Sequence, residues 1–303
     1  MQPYRKSFAG DPLFPFEIVY KTIKYPDNEL PDHLHDHYEL VYVHSGQGIF
    51  FIDNCWYQKS AGDLFVIPGN TIHHSLPDLE DPIVSSAIFF APSLIAGPSL
   101  GDGYFPLQCY EIARKKKQFK IGLAGSLRIA AEMAIKQIAD EFANQETGYR
   151  EAVLLTIGQL LLQINRHLLT DEITQHESPR IGPSWILRAL KRIDEHPERE
   201  IHLTDLAREA CVSPSHFSRV FRQLTSLNVI GYVNTKRIIK AKELLSFSDE
   251  NVNVIAEKCG YETPAHFYRV FKSLTGETPG QYRNRSQAVK PRRRLPERSD
   301  GIW

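Results

Sequence analysis

The stretch His33 to Gly46, HLHDHYELVYVHSG, sets histidine at 33, 35 and 37 and glutamate at 39. Side chains alternate across an extended strand, so these four share one face. Where such a face points into a barrel, its polar atoms lose water and must bind something or one another. Imidazole and carboxylate together suit manganese, iron, nickel or zinc. That is the first place where this sequence could do chemistry.

The second is Val254 to Arg283, VIAEKCGYETPAHFYRVFKSLTGETPGQYR. Ile255-Ala256 opens a short helix and Gly260 ends it. Thr263 is an N-cap for a second helix, with Pro264 at its first position, where a missing N–H costs nothing. Phe267 and Phe271 lie four apart on one face and pack on Ile255 and Tyr261, leaving His266, Tyr268, Arg269 and Lys272 on other faces. Two short helices joined by a glycine turn, the second basic, read as a helix-turn-helix. The pattern occurs twice: Ser213 to Ser226 (SPSHFSRVFRQLTS) and Thr263 to Gly276 (TPAHFYRVFKSLTG) agree at eight of fourteen positions. Leu206-Ala207 likewise answers Ile255-Ala256, so this is a duplicated structural unit.

These residues resemble the AraC/XylS transcriptional regulators. The family pattern is met at Ile255-Ala256, Gly260-Tyr261, Phe267, Arg269, Phe271-Lys272, Thr275-Gly276, Thr278-Pro279 and Tyr282-Arg283. The resemblance implies recognition helices at Pro214–Leu224 and Pro264–Leu274, with Phe217, Phe221, Phe267 and Phe271 in the core. It implies a DNA surface of Ser215, His216, Ser218, Arg219 and Arg222 on the first unit, and Ala265, His266, Tyr268, Arg269 and Lys272 on the second. Arg219 and Arg269 can bond guanine with two parallel hydrogen bonds, while Arg222 and Lys272 lie where phosphate passes. A stiff helix between the units implies reading of successive major grooves, about 34 Å apart. Two departures stand out. Cys211 sits where the family has glycine, at a cost of roughly 1–2 kcal/mol if that turn is left-handed. Ser226 replaces the glycine that follows the second helix.

The N-terminal half resembles the cupin barrels that many of these regulators use as sensors. GDLFVIPGNTIH, from Gly62 through Pro68 to His73, supplies the second cupin motif, with Asn70 where glycine is usual. The resemblance brings His73 to the first cluster. His33, His35, Glu39 and His73 would form the cupin metal set; His33, His35, His37, Glu39 and His73 would instead hydrogen-bond a sugar or other polar effector without metal. A satisfied polar core is the third possibility. No cofactor is expected beyond that divalent metal. Tyr42, Trp56 and Tyr57 are core or mouth aromatics, and His44 and His74 are expected on the surface.

The elements that must position these residues follow from punctuation and periodicity. Short apolar runs at Glu17–Tyr20, Glu39–His44, Ile49–Ile52, Asp63–Ile67 and Val84–Phe90, broken by Pro and Gly, predict a sandwich or small barrel. Ser126–Glu141 and Arg150–Leu169 have helical periodicity and predict a helical hairpin, which either dimerises or lids its own barrel. Trp185 to His196, capped by Ser184, and Val229 to Phe247, capped by Asn228, are further helices. The fold class is α+β multidomain: a cupin-like β-barrel and helical hairpin over 1–169, a linker over 170–183, an all-α domain with two helix-turn-helix units over 184–287, and a basic tail over 288–303.

Of 303 residues, 24% are charged and 42% hydrophobic, ordinary globular usage with room for two domains. The net charge of zero divides unevenly. From Arg180 onward there are 22 Lys and Arg against 14 Asp and Glu, and the first 179 residues carry 14 against 22. A basic half points to nucleic acid. Four scattered cysteines with no metal spacing suit a reducing cytoplasm, and no signal or membrane segment is expected. The sequence therefore predicts a cytoplasmic DNA-binding regulator, a homodimer on double-stranded DNA, controlled by a small effector such as a carbohydrate. RNA polymerase becomes a partner if it activates. The competing reading is a metal-dependent cupin enzyme with a helical appendage, which gives no reason for the duplicated basic unit. The third is a constitutive DNA-binding protein whose barrel only dimerises.

Overall fold

A computed structural model describes residues 4–6, 8, 11, 13–95, 101–123, 125–170, 183–225 and 227–288. The expected linker and basic tail lie outside the described residues except at their inner ends, and Ser226 lies outside them too. The strands are β1 Tyr4–Arg5, β2 Phe16–Lys24, β3 His33–Leu34, β4 Tyr38–Ser45, β5 Gln47–Ile52, β6 Cys55–Ser60, β7 Leu64–Ile67, β8 His73–Pro77, β9 Ile83–Phe90 and β10 Lys120–Ile121. The helices are α1 Gln108–Lys116, α2 Gly125–Asn144, α3 Tyr149–Thr170, α4 Ser184–Glu195, α5 Leu203–Glu209, α6 Pro214–Thr225, α7 Val229–Phe247, α8 Val252–Lys258, α9 Pro264–Thr275 and α10 Pro279–Ala288. By its contacts the chain divides into Met1–Glu195 with Ile201–Tyr232, and His196–Glu200 with Val233–Trp303.

In the first unit two five-stranded sheets run in the orders β1-β3-β8-β5-β6 and β10-β7-β4-β9-β2. Residues of both sheets, Leu40, Phe50, Tyr57, Phe65 and Ile88 among them, share one core with the buried stripes of α2 and α3. β4 is covered on both faces, because Tyr42, pointing away from the barrel interior, donates its hydroxyl to Glu132 of α2. Its sequence therefore reads as an apolar run rather than an alternation. Tyr42, Trp56 and Tyr57 are all buried, as core aromatics. No strand is expected from the sequence at β6 or β8: HHSLP has little strand propensity, CWYQKS has Trp and Tyr but no apolar–polar alternation, and pairing with β5 fixes both.

The hairpin packs Ala131, Ile135 and Ile138 of α2, and Val153, Ile157, Leu160, Leu161 and Ile164 of α3, into the barrel core. Among the described residues Tyr149–Leu169 alone is long and apolar enough by composition to cross a membrane, with mean hydropathy 1.2. That buried stripe accounts for its apolarity. Ile129, Met133 and Leu155 remain exposed.

The first helical lobe, α4 to α6 with the start of α7, belongs to the same unit and buries Ile186, Leu190, Ile193, Leu206, Phe217 and Phe221. Ser184 lies inside the first turn of α4, since the Pro183 carbonyl accepts from Ile186 N at 2.9 Å. Asn228 caps α7, its Oδ1 accepting from Gly231 N at 2.7 Å. The lobe touches the barrel where Lys117 Nζ lies 2.9 Å from Asp194 Oδ2 of α4 and also pairs with Asp53 on the β5–β6 turn.

The second unit holds the second lobe. Ile238, Ala241 and Leu245 of α7 pack with Ile255, Ala256, Tyr261, Phe267, Phe271 and Tyr282. Gly260 has φ +82°, and a Cβ there would lie 2.2 Å from the Glu198 carbonyl oxygen. Only glycine meets both demands.

Candidate functional site

Strand register assembles the barrel cluster. β3 pairs with β8 so that His33 stands directly opposite His73, with ring centroids 4.1 Å apart. Glu39 comes from β4 in the other sheet, and His35 lies at the corner by which the chain crosses between sheets. Glu39 Oε2 lies 3.1 Å from His35 Nε2 and 3.0 Å from His73 Nε2. One ring nitrogen from each of His33, His35 and His73 falls within 4.8 Å of the others. None of the four side chains is exposed by more than 8%.

His37 stands apart. β3 ends at Leu34, and residues 35–37 turn the corner, so the two-residue alternation is broken before β4 begins. Its ring packs on Phe8 at 4.1 Å, and its carbonyl accepts from His35 Nδ1 at 2.8 Å. His74, expected at the surface, is buried. It points away from the cluster but stacks on Phe51 at 5.1 Å and gives its Nδ1 hydrogen bond to Asp32. The outward face of that sheet carries its own aromatic layer. His44 is half-buried, with Nε2 2.8 Å from Ser86 Oγ.

The tautomers follow from the main chain. His33 Nδ1 faces Pro31 O at 3.0 Å, His35 Nδ1 faces His37 O, and His73 Nδ1 faces Thr71 O at 2.9 Å. A carbonyl only accepts, so each Nδ1 carries the proton. Burial holds the His33 imidazole well below its ordinary value, with neighbouring His73 acting the same way, and lowers His35 against the opposing pull of the Glu39 carboxylate. Their Nε2 atoms then present lone pairs. Such lone pairs beside a carboxylate oxygen, away from water, repel unless a proton or a metal cation lies among them. His73 Nε2 has no hydrogen-bond partner of acceptable geometry. The donor set and the backbone anchoring of every Nδ1 fit a divalent transition metal.

Beside the cluster opens a small cavity of about 80 Å³, continuous with solvent at its mouth. His33, Glu39 and His73 line it, with Phe50 and Phe89 as apolar wall. Lys6, Lys24 and Lys59 line it as well, and the sequence reading found none of them. Lys59 Nζ lies 3.3 Å from Ser75 Oγ and 4.3 Å from the Phe50 ring, and burial pushes its ammonium down to about 8. The available signal was Lys59 two residues after Tyr57, the inward alternation of β6. It becomes visible only once that strand is placed.

On the helical lobes, Phe217, Phe221, Phe267 and Phe271 are wholly buried. Ser215, His216, Arg219 and Arg222 of α6 are exposed and Ser218 is half-buried; Ala265, His266, Tyr268, Arg269 and Lys272 of α9 are all exposed. Arg219 donates to His216 Nδ1 at 3.0 Å. Among the described residues, none of Arg219, Arg222, Arg269 and Lys272 forms an ion pair. Ser213 Oγ caps α6 through His216 N at 3.2 Å, and Thr263 Oγ1 caps α9 through His266 N at 3.3 Å. Helices α6 and α9 thus start on the same device, each presenting arginine outward.

Residues 15–119 match the AraC-like ligand binding domain, and residues 206–285 match a helix-turn-helix domain. The HTH-type transcriptional activator RhaR of Escherichia coli O139:H28 (strain E24377A / ETEC) is 26% identical over 255 residues, covering 84% of this chain and 86% of the relative. RhaR of Shigella boydii serotype 4 (strain Sb227) matches to the same extent. The chain belongs to the AraC family of transcription regulators. Among solved structures, the DNA-binding domain of AdpA in complex with a target DNA is 29% identical, covering 35% of this chain and 96% of that one, with TM-score 0.34. An apo ToxT variant from Vibrio cholerae strain SCE256 is 13% identical, covering 89% and 97%, with TM-score 0.37.

In this AraC-family regulator two departures from pattern, Cys211 in the first helix-turn-helix unit and Asn70 in the second cupin motif, have visible geometry. Cys211 has φ +54°, so the turn is left-handed and the residue is strained there. Asn70 has φ +62°, a conformation asparagine tolerates better than most residues.

Proposed function

We propose that this regulator senses a small polar effector, such as a carbohydrate, inside the N-terminal barrel, and that residues 1–169 form the sensor and 184–287 the DNA reader. The observation that carries the reading is the convergence of His33, His35, Glu39 and His73, three of which (His33, Glu39 and His73) line a small cavity open to solvent, because buried polar groups are retained where they bind something. An effector that binds two conformations unequally shifts the population presented to the operator. The contact from Lys117 to Asp194 gives the barrel a direct hold on the first lobe.

Base contacts are assigned to Arg219 and Arg269, phosphate contacts to Arg222 and Lys272, and neighbouring contacts to Ser215, His216, Ser218, Ala265, His266 and Tyr268. The exposed Ile129, Met133 and Leu155 suit α2 and α3 to pairing with a second copy, giving a homodimer. The relatives are named activators, and activation makes RNA polymerase a partner. A cytoplasmic location follows from work on chromosomal DNA, and no catalytic role is assigned. The test is operator affinity of the full chain, by fluorescence anisotropy, across a metabolite panel. A change on effector addition supports the reading; invariance across the panel favours a barrel that only dimerises.

A second reading, favoured by the three anchored Nδ1 atoms, places a divalent cation among His33, His35, Glu39 and His73. When bound, it would supply a Lewis-acidic point to which effector oxygens could bind. Stoichiometric metal in purified protein supports this reading. Metal with turnover of a small substrate would instead promote the enzyme alternative.

A further inference from the structure

The cavity is lined by three lysines and two carboxylates, Glu29 and Glu39. Of its three lysines, Lys24 pairs with Glu29 at 3.3 Å, and the other cavity carboxylate, Glu39, lies against His35 and His73. Lys59 is 3% exposed and has no carboxylate at ion-pair distance among the described residues. Its one hydrogen-bond partner is the neutral Ser75 hydroxyl, which leaves ammonium donors unused. Lys6 Nζ lies 3.6 Å from the Phe89 ring centroid on the same cavity, also without a carboxylate among the described residues. Thr22 also lines the cavity, and its Oγ1 is buried with no partner at all.

A lone buried ammonium is costly, and proteins retain one where it is paired or used. Solvation does not account for Lys59, and packing alone would be served by leucine or methionine. Glu29 and Glu39 act on Lys59 from across the cavity, but neither reaches its ammonium, so a contact anion would have to enter the cavity.

We propose that the effector is an anion, a small hydroxylated acid whose carboxylate or phosphate pairs with Lys59 inside the barrel. Lys6 adds positive potential near the same space. The Thr22, Ser75 and Ser85 hydroxyls on the lining suit the hydroxylated body, and Phe50 and Phe89 its apolar edges. This rests on the barrel being the effector site, and it narrows the chemical class from any polar molecule to an acid. It does not depend on the cation.

The test uses the full chain at pH 7 with matched probes: D-galactose against D-galacturonate, and D-glucose against D-glucuronate and D-glucose 6-phosphate. Thermal unfolding and titration calorimetry are run on wild type, Lys59→Met and Lys59→Gln, with circular dichroism confirming that both variants fold. The expected result is that an acid raises Tm while its neutral partner at equal concentration does not. Both variants then lose at least tenfold in affinity. A response to the uronates assigns a carboxylate, and one to glucose 6-phosphate assigns a phosphate. Neutral sugars binding wild type and both variants alike would overturn the anion while leaving the barrel as sensor. Acid binding unchanged in the variants would overturn the role of Lys59. Silence from all five probes would count against both the anion and the sensing barrel.

Discussion

Cys211 and Gly260 occupy the same corner of their respective helix-turn-helix units, with φ of +54° and +82°. In each, the residue after the corner donates its amide back to the alanine that opens the unit: Val212 N to Ala207 O and Tyr261 N to Ala256 O, both at 3.1 Å. One fold motif has been built twice, once on a residue that resists it. Relief of left-handed strain is worth roughly 1–2 kcal/mol and the added unfolded-state entropy of glycine takes back about 0.4–1, so Cys211→Gly should stabilise the first lobe by about 0.5–1 kcal/mol. Gly260→Ala should cost at least about 2 kcal/mol, because the new Cβ also meets the Glu198 carbonyl. Urea unfolding of the two variants checks both signs.

Arg269→Ala with Lys272→Ala should weaken operator binding and flatten its salt dependence. Each phosphate left unneutralised lowers the slope of log K against log salt by about 0.9, and removal of a base-reading arginine relaxes discrimination at its base pair by about 1–3 kcal/mol. Anisotropy titrations at several salt concentrations separate the two effects. An unchanged slope and affinity would remove α9 from the DNA surface.

Lys59→Met should stabilise the barrel at neutral pH while abolishing effector response. The unfolded chain keeps this proton up to about 10.5 and the folded chain only to about 8, a difference worth about 3 kcal/mol. Between those values the unfolded state binds more protons, so wild-type stability rises with pH; below about 8 the whole cost is present. The advantage of the variant should therefore be greatest below pH 8 and fade toward pH 10.5. Unfolding of wild type and variant at pH 7 and pH 10 measures it.

A divalent cation held by the histidine cluster at a hundred times its Kd should stabilise the barrel by about 2.7 kcal/mol. Chelation should reverse this, and His35→Ala should show no response. Metal analysis with thermal scans before and after chelation gives the answer.

Met133→Glu, on the exposed face of α2, should shift the chain from dimer to monomer in light scattering without loss of helix content. Met133 is 67% exposed, so the change disturbs little within one chain.

The sequence by itself determined the DNA reader. Pro264, Phe267, Phe271 and their counterparts fifty residues earlier carry local information: caps, helical period and turn chemistry act within a few residues, so the text of α6 and α9 nearly dictates their shape. It also marked His33, His35, Glu39 and His73 through motif resemblance. Only the tertiary structure decided which of these meet. His33 joins His73 through the β3–β8 register, His37 is turned away by a corner between sheets, and His74 is buried under an aromatic layer on the opposite face. Lys59 was invisible because β6, although it holds Trp56 and Tyr57, has no apolar–polar alternation to mark its buried face. Its inward direction exists only once β5 pairs beside it and sets which side chains lose water. Helix chemistry is local and can be read residue by residue. The interior of a barrel is fixed by pairings between distant strands, and a single sequence does not spell those out.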